Sequence, residues 1–283
     1  MYNLRYHIAS LVSVFLALAI GVLFGGLIVD NSSTFDTAKM IENLQSQYDE
    51  LRASNDALTA QDQALEGLSS ELLAERNAGL LTGTTYAVLY SDEAVAEHAV
   101  VALEQAGARV VKVRVDETKL AVTGDSAVSV ALTAANVAAD AAEAELPAIV
   151  AAEWMSADSS ATPITQALVE DGVLAIAGLP DGATRMPVIN GVIDTATSDN
   201  SAAPLALGIA LAADRAGAVG VGASVIGGSG VVATAAWDEG ITGVATLGSS
   251  LGRYTLVRVV LPGGERGLFG LVDGATAAYA KLN

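Results

Sequence analysis

The run Gly248-Ser249-Ser250-Leu251-Gly252 is a G-x-S-x-G pattern between an apolar stretch and a helical one. In that context the central serine of a hydrolase stands on a sharp turn as the nucleophile. The chemistry also needs a histidine base later in the chain, and both histidines, His7 and His98, come earlier. A hydroxyl without a base is a poor nucleophile. The run therefore reads as a Gly/Ser entry into a helix, and no catalytic residue is assigned. Gly228-Ser229-Gly230-Val231-Val232-Ala233 matches G-x-G-x-x-A. A dinucleotide site would place an acidic residue ~20 positions further on, and residues 241–263 contain none. A turn is expected there, with no cofactor.

Metal chemistry finds little to work with. Cysteine is absent, which removes thiolate ligands and disulfides. Met40, Met155 and Met186 are scattered. The pairs Asp92-Glu93 and Asp238-Glu239 are adjacent in sequence, the usual form of turns and helix starts, and no spaced calcium loop is present. No metal ligand set is assigned. Lys plus Arg number 14 against 32 Asp plus Glu, a formal net charge of −18. A nucleic-acid partner is excluded, because it demands a basic face. Hydrophobic residues make up 52% of the 283 and charged residues 16%, too apolar for a disordered acidic tail. With aromatics at 5%, the core must be built from small aliphatic side chains.

The elements that would carry such a core begin with a membrane segment. Residues 8–29, IASLVSVFLALAIGVLFGGLIV, are uncharged. As a helix they span ~33 Å at ~1.5 Å per residue, enough for the hydrocarbon core of a bilayer. A cleavable signal peptide has a shorter apolar region ending in small residues; this run ends Leu27-Ile28-Val29-Asp30, so an uncleaved signal anchor is the reading. Arg5 precedes it and Asp30 and Asp36 follow. The positive-inside rule then leaves residues 1–7 as a cytoplasmic tip and puts the remainder outside the cytoplasmic membrane. Ala17, Gly21 and Gly25, four apart, form a small-residue face on which two helices can meet in lipid.

A heptad repeat follows over residues 37–77. Leu44, Leu51, Leu58, Leu65 and Leu72 recur every seventh residue, and Ile41, Tyr48, Asn55, Asp62 and Ser69 stand three residues before them. With the leucines at d and the others at a, this is a coiled-coil seam. Asn55 suits a parallel two-stranded register, whereas Asp62 should loosen it. The expected partner is a second copy, forming a parallel homodimer, and Asn77-Ala78-Gly79 should end the helix.

Residues 82–283 read as an extracytoplasmic α/β domain, Rossmann-like with a mainly parallel sheet. Strands are expected at 86–90, 109–115, 148–152, 173–177, 218–222 and 241–246. Helices are expected at 93–105, 131–145, 164–170 and 205–213, with one after Gly252.

Tyr2-Asn3-Leu4-Arg5-Tyr6-His7-Ile8-Ala9-Ser10-Leu11-Val12, running into an apolar span that ends in Gly25-Gly26, resembles the opening of the actinobacterial copper-transport protein B family, the mycobacterial copper transporters. Gly243-Val244-Ala245-Thr246, then Leu251-Gly252-Arg253, then Gly267-Leu268-Phe269-Gly270 resemble that family's S-T-V-D-N-x-D-T-x-x-G-R and G-x-Y-G pattern. Leu247-Gly248-Ser249-Ser250 stands in place of its D-N-x-D-T core, so the role of those acids does not carry over. The resemblance implies copper efflux or homeostasis, and a channel at the outer envelope has been ascribed to the family. Related corynebacterial proteins imply another role, as scaffolds for a membrane partner that controls cell division or peptidoglycan hydrolysis. Copper enters only through this resemblance. One apolar helix per chain forms a pore only in a higher oligomer, so a non-enzymatic, membrane-anchored dimer is the expected form.

Overall fold

The computed structural model describes residues 4–27, 34–122, 124–138, 141–156, 163–179, 186–195, 197–198, 201–202, 204–225, 231–272 and 274–280. They fall into two compact units, Met1–Ala64 and Leu65–Asn283.

The first unit holds α1 (Leu4–Leu27) and the start of α2 (Thr34–Asn77). Ala17, Gly21 and Gly25 all lie on α1, and the last two residues of the expected 8–29 span, with Asp30 after them, lie outside the described residues. Side chains of α1 are described over 10–24, where Leu11, Val12, Val14, Leu16 and Phe24, which together run round the helix, are exposed. Among the described residues no helix is long and apolar enough to cross a membrane, the side chains of α1 being described over only part of the expected 8–29 span. α2 is one uninterrupted helix of 44 residues. It stops at Asn77, as expected, and Gly79 follows in the left-handed region at φ 76°. Along α2, Ile41, Leu44, Tyr48, Leu51 and Leu58 are exposed.

The second unit is the head. After α2 come β1 (Thr85–Tyr90), α3 (Glu93–Gln105), β2 (Arg109–Val115) and a short 3₁₀ turn (Glu117–Lys119). Next are α4 (Ala127–Ala134), α5 (Ala142–Met155), α6 (Pro163–Glu170), β3 (Leu174–Ala177) and β4 (Gly191–Asp194). β5 (Thr197–Ser198) and β6 (Ser201–Ala202) form a separate antiparallel pair. α7 (Pro204–Arg215), β7 (Val219–Ala223), α8 (Val231–Asp238), β8 (Thr242–Val244), α9 (Ser250–Val259) and β9 (Leu268–Phe269) complete the order. The main sheet runs β3-β2-β1-β4-β7-β8-β9, parallel except for β3, which pairs antiparallel with β2. The chain builds outward from β1 in one direction and then returns to lay β4 on its other side. This gives the expected Rossmann-like, mainly parallel α/β architecture, with a switch point between β1 and β4.

A core lies on each face of the sheet. One packs α4 to α7 around Trp154, Leu146, Ile164 and Leu168. The other packs α3 and α9 through Val100, Leu103, Leu256 and Val257. Small residues set the spacing between layers. A Cβ on Gly222 of β7 would come 2.3 Å from the Cβ of Ala236, and one on Gly243 of β8 would come 2.2 Å from the Ala233 carbonyl. The helix α8 therefore rides directly on the strand backbones.

Three expectations are corrected. Residues 148–152 are not a strand but part of α5, because Leu146, Val150 and Trp154 recur at four-residue spacing and are all buried. The helix expected at 131–145 is two elements, α4 and α5, with Asn136 between them at φ 60°. The strand expected at 241–246 is confined to Thr242–Val244.

Candidate functional site

The turn that most resembled a catalytic motif is the best-organised polar site of the head. Ser249 is the N-cap of α9: its Oγ accepts from the Gly252 N–H at 3.0 Å and donates to the Thr246 carbonyl at 2.9 Å. Ser250, the central serine, faces a carboxylate instead of a base. Its Oγ donates to Glu66 Oε2 at 3.0 Å and its backbone N–H donates to Glu66 Oε1. Arg253 completes the cluster, donating to the Gly248 carbonyl at 3.0 Å and lying 3.5 Å from Glu66 Oε1. His98 sits half-buried on α3 and is not the partner of Ser250.

This clasp explains the C-terminal motifs. Gly252 lets α9 lie against the end of β8, since a Cβ there would meet the Thr246 carbonyl oxygen at 1.8 Å. Gly270, at φ 134°, packs against Thr246 and Ala245. The C-terminal residues that carried the resemblance, around Thr246, Gly252 and Gly270, thus meet at one joint. Glu66 was missed because it stands 184 residues before Ser250. The signal for it was weak: a glutamate in a heptad helix is ordinarily solvated. The head begins at Leu65, so the last turns of α2 belong to it. Beside the clasp, a small cavity lies between α2, α3 and α9, lined by Ser70, Leu73, Asn77, Gln105, Arg253 and Tyr254. Asn77 Oδ1 is buried there without a hydrogen-bond partner among the described residues, a position suited to one ordered water.

The clasp is one case of a wider arrangement. Helix N-termini carry unsatisfied N–H groups and partial positive charge, which makes them ready anion sites in such sheets. Here the chain supplies the anions. Asp92 accepts from Ala94 N at the start of α3. Asp171 accepts from Ala127 N and Val128 N at the start of α4. Glu153 accepts from Ile164 N and Thr165 N, both at 2.9 Å, at the start of α6. Glu117 accepts from Leu205 N at 2.6 Å at the start of α7. At the switch point, the turn after β1 that would cradle a pyrophosphate holds Asp92 itself. On the other side of that point, Asp194 is buried at the end of β4. Gly228, Ser229 and Gly230 of the G-x-G-x-x-A stretch lie outside the described residues, and α8 starts at Val231. Among the described residues no group of acidic or imidazole side chains is placed to hold a metal ion.

Two of these contacts give direct tests. Glu66→Ala removes the acceptor of the Ser250 N–H and Oγ and the Arg253 pairing while leaving the Ser249 cap, and should cost about 1–2 kcal/mol of head stability. Glu66→Gln, which keeps an acceptor, should recover part of it; thermal unfolding of the full chain measures both. For Glu117, burial raises the carboxyl pKa above its ordinary value, against the lowering effect of the Leu205 and Ala206 N–H groups. A raised carboxyl pKa means the folded chain holds its proton after the unfolded chain has lost it. Stability is therefore fully present below the ordinary glutamate range and declines as pH rises through the raised value. Glu117→Gln and Glu117→Ala should both remove that decline, and Glu117→Ala, which also loses the acceptor, should lie about 1 kcal/mol below Glu117→Gln at every pH. Denaturant melts between pH 4 and 8 would show it.

The family model described as copper transport outer membrane protein, MctB, matches residues 1–280. No curated protein and no solved structure matches the chain.

Proposed function

This chain belongs to the family of the copper transport outer membrane protein MctB, and we propose that it serves copper homeostasis as a membrane-anchored, non-enzymatic homodimer. In this reading residues 8–29 hold each copy in the cytoplasmic membrane, N-terminus inside. Residues 37–77 pair two copies as a parallel coiled coil, and the α/β head stands on the outer side to engage an envelope partner. The observation that carries the reading is the apolar exposure of α1 and of the α2 leucines, which leaves two long helices with surfaces that water does not favour. Lipid suits the first, because its apolar side chains face all directions. A second copy suits the other, because its stripe is narrow and repeats every seven residues. The open sheet, with β3 and β9 at its edges, is not a membrane-spanning barrel, which favours an inner-membrane tether over an outer-membrane pore.

Fractionation tests the anchor. The full chain should stay in the membrane pellet through an alkaline carbonate wash and leave it only with detergent, and deletion of residues 8–29 should release it. Titration of the purified full chain with Cu⁺ and Cu²⁺ decides how copper is involved. Absence of heat favours a scaffold acting through its partner. Stoichiometric submicromolar binding would transfer the transport role to this chain.

A further inference from the structure

The head itself covers part of the surface that the heptad repeat would offer to a second copy. On the last turns of α2, Ser69 and Ser70 are half-buried and Asn77 is buried, and Ser70 and Asn77 line the cavity shared with α3 and α9. Ser69 is the a position of that heptad, so the regular a/d seam runs into ground already occupied. Leu65, Leu68 and Leu72 stay outside, at 55%, 55% and 54% exposure. Their spacing of three and four is that of a seam, but its phase is d and g in place of a and d.

We propose, on the premise of the parallel dimer, that its seam changes phase at Asp62 and continues along Leu65, Leu68 and Leu72. Continuity with the d leucines of the first unit names a second copy as the occupant. A parallel two-stranded coil sets identical residues face to face. An unshifted seam opposes two Asp62 carboxylates, whose like charges repel, and then two half-covered serines. A shifted seam puts the neutral amide of Gln61 in that layer, followed by three leucines. The shift inserts one extra three-residue step, a stammer, which overwinds the pair locally. Gly67 lies within this stretch with open space where a Cβ would be, and glycine yields most readily to such a change in winding.

The absence of cysteine makes the test clean. Single substitutions Leu51→Cys, Gln61→Cys, Asp62→Cys, Leu68→Cys and Ser69→Cys are made in the full chain in its membrane. They are oxidised with diamide, and the cross-linked dimer is read on a non-reducing gel, normalised to labelling of each thiol by a small maleimide. A disulfide needs Cα atoms within roughly 7 Å, so only positions facing their mates respond. The expected result is cross-linking at Leu51→Cys, with Leu68→Cys at least about threefold above Ser69→Cys and Gln61→Cys above Asp62→Cys. Ser69→Cys equal to or above Leu68→Cys, with Leu51→Cys still cross-linked, would overturn the phase change and leave the dimer standing. No cross-link at Leu51→Cys would remove the dimer, and this inference with it.

Discussion

Gly252→Ala is expected to lower the stability of the head by at least about 3 kcal/mol. The added Cβ would sit 1.8 Å from the Thr246 carbonyl oxygen and 2.3 Å from its carbon. Neither is the flexible end of a side chain; both belong to backbone that leads from β8 into α9. Relief requires α9 to lift from the sheet, which takes Leu256 and Val257 out of their core and pulls Ser250 from Glu66. For a domain of this size the melting temperature should fall by roughly 6–12 °C. Gly67→Ala is the matched control. Nothing lies within 4 Å of its Cβ position, so alanine should raise helix stability by about 0.5–1 kcal/mol. A melt in which the two variants behave alike would show that the tight contact at Gly252 carries no energetic weight.

Leu51→Asp combined with Leu58→Asp is expected to turn the proposed dimer into a monomer. Both leucines are exposed on the isolated chain, so the change should not disturb the fold of one copy. In the pair, each buried leucine contributes roughly 1.5–3 kcal/mol, and the substitution also places carboxylates opposite one another. Dimerisation should weaken by at least about a thousandfold. Sedimentation of the full chain in detergent measures it directly, with circular dichroism as the check that the helix persists. A monomer in the unaltered chain would sink the tethered-dimer proposal.

How much of this was legible in the sequence follows from the range of each contact. Elements defined by local pattern came through: β1 and β2 from their apolar runs, α3 between an Asp92 cap and Gly107, and α2 with its stop at Asn77. β4 did not, although it is the middle of the sheet. Gly191-Val192-Ile193-Asp194 is only four residues long, and its apolar signal is cut short by Asp194, an acid that the fold buries. Residues 148–152 misled because an Ala/Val/Ile run has no period of its own, and burial at Leu146 and Trp154 on either side decided for helix. The G-x-S-x-G turn was placed correctly at the start of a helix. Its partner Glu66, and the pairing of Glu117 with α7, arise from chain crossings that no local window contains.

The margins of the sheet have a consequence for life on a membrane. Under the proposed tether many heads share a thin layer at high local concentration, where free strand borders invite one sheet to zip onto the next. Here one border is the two-residue β9, to which Thr276 and Ala277 already bond, and the other is the four-residue β3, antiparallel to β2. Neither offers a ladder long enough to template another strand, so heads crowded by such a tether should stay separate and leave the proposed self-association to the heptad helix.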